Sequence, residues 1–151
     1  MGCAIRSSKD SPRLGASPVL FSDYKAFVRE SYLRNIQLFS ADDLPFTIEA
    51  TSDEFFAAWK EKQEARDVLG RSITLCGPIS FCYIDGDHAY EGVKNDFLNC
   101  DEFLQKDGFL LFDDSTVKNF GVRDLMPELQ ASGRYKLVAT NPNHLFKKVQ
   151  N

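Results

Sequence analysis

Two short apolar runs each break abruptly into acid: Phe81-Cys82-Tyr83-Ile84 into Asp85-Gly86-Asp87-His88, and Phe109-Leu110-Leu111-Phe112 into Asp113-Asp114. Between them Val93, Phe97, Cys100 and Leu104 recur at helical spacing, so the pattern predicts strand, helix, strand, with the helix over 89–105. A crossover of this kind joins parallel strands, which release their C-terminal ends at the same edge of a sheet. Both acidic clusters are therefore expected at one edge, the edge at which open α/β sheets bind ligands.

The rest of the chain is read the same way. Phe27, Tyr32, Ile36 and Leu38-Phe39 keep an apolar face that predicts a helix over 24–39, while residues 19–21 are either a short strand or the start of that helix. Residues 46–50 read as a strand. Thr51-Ser52 then reads as the N-terminus of a helix running to about Asp67, with Thr51 and Glu54 spaced as a capping box and Phe55, Phe56 and Trp59 as its buried stripe. Residues 72–76 are an extra strand or a loop. A helix is predicted over 122–131, with Pro127 as a kink or a division into two pieces. Two strands over 135–140 and 144–149, around Asn141-Pro142-Asn143, suit an antiparallel hairpin.

Composition narrows the function classes. The chain has 151 residues, 43% of them hydrophobic, enough for one ordinary core, so a single domain over 19–151 is expected behind a Ser- and Pro-containing leader over 1–18. A net charge of −4, with basic residues interleaved among acidic ones, argues against a nucleic-acid partner. No apolar run approaches the ~20 residues that span a bilayer, and 1–19 has no signal-peptide core, so a cytoplasmic protein is expected. Met1-Gly2-Cys3 carries Arg6 where the myristoylation pattern requires Ser or Thr. Cys3, Cys76, Cys82 and Cys100 form no Cys-x-x-Cys pair and read as reduced thiols; with His88 they lack zinc-site spacing, and no Gly-x-Ser-x-Gly marks a hydrolase.

The segment from Ile84-Asp85-Gly86-Asp87-His88 through Tyr90 and Gly92 to Leu111-Phe112-Asp113-Asp114, with Gly121-Val122-Arg123 and Asn141-Pro142-Asn143-His144 beyond it, resembles the second half of class I S-adenosylmethionine-dependent methyltransferases. The resemblance covers roughly residues 24–149. It implies a partial Rossmann-like α/β sheet, mostly parallel, with a C-terminal antiparallel hairpin and helices on both faces. Such enzymes hold the cofactor's methionine portion on a glycine-rich turn after the first strand, since only glycine lets backbone approach so closely. None of the nine glycines here forms a Gly-x-Gly. The first strand, its turn and the second strand are thus expected to be missing, which exposes an edge beside 81–84 that a homodimer, or else a rearranged strand from 72–76 or 19–21, covers, with the homodimer preferred.

Asp85, Asp113 and Asp114 at one sheet edge repel one another, and a divalent cation relieves that repulsion. In the metal-dependent O-methyltransferases that this segment resembles, the matching acids bind Mg²⁺, which chelates the hydroxyls of a small-molecule substrate; oxygen-only ligands suit that ion. The alternative is that Asp113 or Asp114, with Ser115, caps the next helix while Asp85 only ends its strand. His88 lies three residues past Asp85 and, by the resemblance, is the base that takes a hydroxyl proton; otherwise it is a helix-start histidine bonded to Asp85 or Asp87. Asp87 reads as a further acid behind the site or, in preference, as the cap of the helix beginning near Ala89, Tyr90 as pocket wall or core, and His144 as ordinary. For S-adenosylmethionine itself the resemblance points to Asp23 for the ribose and to Thr51 and Ser52 for the adenine, where an acid followed by Ser is common in the family. A metal-assisted O-methyltransferase acting on a small hydroxylated molecule is one expectation. A methyltransferase-derived domain that binds a partner or ligand without turnover is the other.

Overall fold

A computed structural model describes residues 17–150, which fall into two compact units, 17–46 and 47–150. Residues 1–16 of the expected leader over 1–18, with the N-terminal lipidation pattern and Cys3, lie outside the described residues. The first unit is built on α1 (Phe21–Phe39), of which only Ile36 is buried, while Phe27, Leu38 and Phe39 are exposed. Helix begins at Phe21, so residues 19–21 form no strand and Asp23, expected to follow one, lies in the first turn of α1.

The second unit opens with α2 (Ser52–Lys60). Its N-terminus is the capping box read from the sequence: Thr51 Oγ1 accepts from the Glu54 N–H and the Glu54 carboxylate accepts from the Thr51 N–H at 2.9 Å. Phe55, Phe56 and Trp59 are half-buried, not a fully buried stripe. The helix stops well before Asp67, because Lys62 adopts φ 54° and the Gln63 N–H turns back to the Ala58 carbonyl. The chain then forms a hairpin of β1 (Glu64–Arg66) and β2 (Ser72–Thr74), which settles residues 72–74 as strand. Its turn is held by Asp67, which accepts from the Leu69 and Arg71 N–H groups and pairs with the Arg71 guanidinium at 2.6 Å, with Gly70 at φ 81°.

Residues 46–50 form no strand, contrary to their pattern. Strand propensity needs a neighbouring strand to pair with, and among the described residues no ladder forms there; the Val68 N–H bonds the Thr47 carbonyl at 2.9 Å.

The main sheet has the order β3-β4-β6-β5, from β3 (Ile79–Ile84), β4 (Leu104–Phe112), β5 (Tyr135–Thr140) and β6 (His144–Lys148). As the hydrophobic pattern requires, β3 and β4 are parallel neighbours, with Phe81 beside Phe109 and Ile84 beside Phe112, joined by α3 (Tyr90–Phe103). The C-terminal pair is antiparallel, and β6 lies antiparallel to β4. Helix α4 (Val122–Ala131) runs as one helix through Pro127. Helices α3 and α4 bury Val93, Cys100, Leu125, Met126 and Leu129 against Cys82, Ile84, Leu110, Phe112 and Phe146 of the sheet. Deleting the Phe146 ring from that core costs about 3–5 kcal/mol. A buried ion cluster ties the far end: Lys148 Nζ meets Asp101 Oδ1 at 2.9 Å, Arg134 meets Asp101 at 2.8 Å, and Lys148 also donates to the Leu104 carbonyl. Among the described residues β3 ends the sheet, and β2 pairs with β1 instead of with it.

Candidate functional site

The parallel pairing sets the site. Ile84 and Phe112 are partners in register, so the residues that follow them, Asp85 and Asp113, leave the sheet side by side; the Asp113 N–H still bonds the Ile84 carbonyl at 2.9 Å. Tyr83 precedes Asp85 by two positions and shares its face of the strand. From there its hydroxyl donates to the Asp113 carboxylate. That bond, with help from Asn143 Nδ2 and the Asp114 N–H, holds the Asp113 carboxyl below its ordinary range although burial opposes it. In return, burial and the Asp113 carboxylate push the Tyr83 phenol up to about 12. Asp85 is raised, first by burial and then by the charge of Asp113, with His88 pulling the other way.

Beyond Asp113 the chain turns sharply at Asp114, which takes φ 50°. This brings Asp114 Oδ2 to 3.3 Å from His88 Nε2. The His88 ring stacks on Phe120 at 4.2 Å between centroids with the planes 2° apart. The Gly121 N–H bonds the His88 carbonyl at 2.8 Å, and a Cβ at Gly121 would lie 2.2 Å from the Tyr90 nitrogen, so the loop can seat against the histidine turn only with glycine there. Asp87 accepts from the Ala89 N–H at 3.0 Å and supports the start of α3, whose N-cap position is Ala89. Neither Asp113 nor Asp114 caps a helix: the N-cap position of α4 is Gly121, with no side-chain cap. Tyr90 packs against the core, and its hydroxyl joins Glu128 and Lys94 between α3 and α4.

Alongside β3 lies a cavity of about 280 Å³. Phe55, Phe56, Trp59 and Phe81 give it aromatic walls, and Thr51, Ser52, Asp85 and Asp96 supply polar groups. Cys82 and Cys100, buried and hydrogen-bonded to each other, also line it. The structure therefore brings Thr51 and Ser52 to the same cavity as Asp85. Thr51 Oγ1 is already bonded to Glu54, at 2.8 Å to the carboxylate, which leaves Ser52 as the hydroxyl on offer. Asp23 belongs to the other unit.

The residues suit two implied groups unequally. An aromatic slot with a hydroxyl and a carboxylate fits the adenosine portion of S-adenosylmethionine. Magnesium does not fit the side chains as they stand. Among the described residues no group of three or more His, Cys, Asp or Glu side chains is disposed to hold a metal, and the reason is local: Asp113 is engaged by Tyr83 and Asn143, and Asp114 faces His88.

The sequence pattern alone does not single out Tyr83, Asn143, Phe120 or the pair Ser115–His144. Tyr83 is detectable in principle, because any residue two before a strand-end aspartate shares its face. Asn143 reads only as part of a turn. Ser115 is fully buried; its Oγ accepts from the His144 N–H at 2.7 Å and lies 2.9 Å from His144 Nδ1, while burial holds the His144 imidazole below its usual range.

A family model described as a methyltransferase domain matches residues 10–115. An uncharacterized protein of Acanthamoeba polyphaga mimivirus is 28% identical over 88 residues, an alignment that covers 52% of this chain and 40% of that protein. The match therefore spans well under half of that viral relative. No helix among the described residues is long and apolar enough to cross a membrane.

Proposed function

This chain belongs to the methyltransferase-domain family, and from that premise we propose that it retains the acceptor side of an S-adenosylmethionine-dependent O-methyl-transfer site, with the cavity beside β3 receiving the adenosine portion of the cofactor. The observation that carries the reading is the placement of His88 against Asp114 at 3.3 Å, at the edge from which Asp85 opens into that cavity.

The chemistry depends on the tautomer. An acceptor carboxylate beside Nε2 favours the Nε2–H form of His88 and leaves the Nδ1 lone pair to take a proton. Asp114 then stabilises the imidazolium that forms, and the stacked Phe120 ring fixes the imidazole plane. Bound S-adenosylmethionine supplies an electrophilic methyl group on sulfur. His88 removes the proton of a small hydroxylated acceptor as its oxygen becomes the nucleophile, while Asp85 orients the acceptor through a hydrogen bond. A divalent cation can join only if Asp113 releases Tyr83 and Asn143.

One observation favours a second reading. The cavity is lined by Ile79 and by every residue from Phe81 to Gly86, so it tracks the whole edge of β3. An extended segment of a partner can add at such an edge, in which case the domain binds without turnover. Calorimetry with S-adenosylmethionine and S-adenosylhomocysteine, with and without Mg²⁺, separates the two. Saturable cofactor binding supports methyl transfer. No heat in either condition, with the protein folded, leaves only the binding domain.

A further inference from the structure

A second cavity, of about 380 Å³, lies one residue beyond the acid cluster along the chain, between the turn after Asp114 and the first turns of α4. Its lining contains Lys118, Arg123, Thr116, Gln130 and His144, and no carboxylate. That composition is unusual in a chain whose net charge is −4. Neither Lys118 nor Arg123 has an ion-pair partner among the described residues, whereas Lys94, Arg134, Lys147 and Lys148 each have one. The cavity along β3, by contrast, is lined without any cation.

His144 adds a ring nitrogen. Ser115 Oγ accepts from the His144 backbone N–H and lies 2.9 Å from His144 Nδ1; in the tautomer in which the Ser115 hydroxyl donates to Nδ1, the ring carries its proton on Nε2. The cavity thus offers two cations, the Thr116 hydroxyl and the Gln130 amide, joined in that tautomer by the Nε2–H, with no acidic group to compete. Such a set recognises an anion, and two cations suit a doubly charged one.

We propose that this cavity is an oxyanion subsite, held by Lys118 and Arg123, that seats a phosphate or sulfate ester group of the acceptor molecule. The inference rests on the methyl-transfer reading for the identity of the ligand as acceptor, since Ser115 comes directly after Asp114 and His144 directly after the Asn143 that holds Asp113. The substrate class becomes a small hydroxylated molecule that also carries a tetrahedral dianion.

The test is a nuclear magnetic resonance titration of the full chain with inorganic phosphate, repeated with sulfate and with acetate, reading the amide signals of Thr116, Lys118 and Arg123. Saturable shifts with phosphate, on the order of millimolar, are expected, with acetate weaker. The Lys118→Met/Arg123→Met variant, altered at two exposed positions, should bind phosphate at least about tenfold more weakly while its melting temperature is unchanged. Lys118→Met alone, in the loop, should give a smaller loss of the same sign. Preference for phosphate over sulfate, or the reverse, tells which ester the subsite takes. Shifts that do not saturate, or that are equal in wild type and variant, overturn the subsite. S-adenosylhomocysteine binding measured on the same samples keeps the two readings apart: cofactor binding without a phosphate site sinks only the subsite, and a phosphate site without cofactor binding sinks only methyl transfer.

Discussion

At the scale of single residues, His88 and Asp101 show two different uses of a carboxylate partner. Asp114 faces His88 at an exposed edge, where the pair is worth little to the fold, and in the proposed site it sets which nitrogen is basic. His88→Ala should therefore leave the melting temperature and S-adenosylhomocysteine binding nearly unchanged and lower methyl transfer by roughly 10²–10⁴-fold, as measured with a labelled methyl donor. Asp101 is structural. Burial raises its carboxyl, but the bonds from Tyr135, Lys148 and Arg134 outweigh that and hold it below its ordinary range. A depressed folded-state value means stabilisation that is present above the unfolded value, about pH 4, and lost as pH falls through the folded one. Asp101→Asn should flatten the acid limb of a stability-against-pH profile. Near neutral pH it should cost about 3 kcal/mol, because Lys148, 5% exposed, is left without its counter-charge. Equal acid limbs for wild type and variant would remove Asp101 as the titrating group.

Elements are legible wherever a pattern has a partner to satisfy it. The β3-α3-β4 crossover can be read from two apolar runs that end in acid, since a buried parallel strand is a short continuous apolar run and the helix between carries its own period. The edge at which Asp85, His88, Asp113 and Asp114 emerge is fixed by that topology. Which acid meets which partner is not, because it depends on the left-handed turn at Asp114 and on the hydroxyl of Tyr83, neither of which leaves a periodic trace. Residues 46–50 have strand composition and no strand, since pairing is not a property of one segment. The helix after Thr51 reads too long because nothing in Glu61-Lys62-Gln63 resembles a glycine stop, yet Lys62 takes the conformation glycine usually supplies. Thr51→Ala tests the element most directly. With the capping box lost, urea denaturation should show about 1 kcal/mol less stability, while S-adenosylhomocysteine affinity holds, because the hydroxyl serves Glu54. A loss of affinity well beyond the loss of stability would place Thr51 in contact with the cofactor instead.

For the whole molecule, the sheet ends at β3 among the described residues, Phe81 is 47% exposed there, and the aromatic cavity runs along that edge. Sheet edges of this kind attract another strand, and a twofold pair is the commonest closed solution. If that edge takes a strand of a second copy in place of the cofactor, sedimentation over a rising concentration series should show a dimer that Phe81→Lys, which places charge on the edge, shifts to monomer; a monomer throughout counts against edge pairing and leaves the cavity to the cofactor. The central claim, that the same cavity receives the adenosine portion of a methyl donor, has a built-in reporter. Trp59 is the single tryptophan of the chain, lines the cavity, and is anchored by its Nε1–H to the Gly77 carbonyl at 3.0 Å. Its fluorescence, monitored through a titration with S-adenosylhomocysteine, should change along a saturable curve as a purine enters the aromatic slot. Emission that stays flat up to concentrations on the order of millimolar, with the protein folded, would contradict the claim.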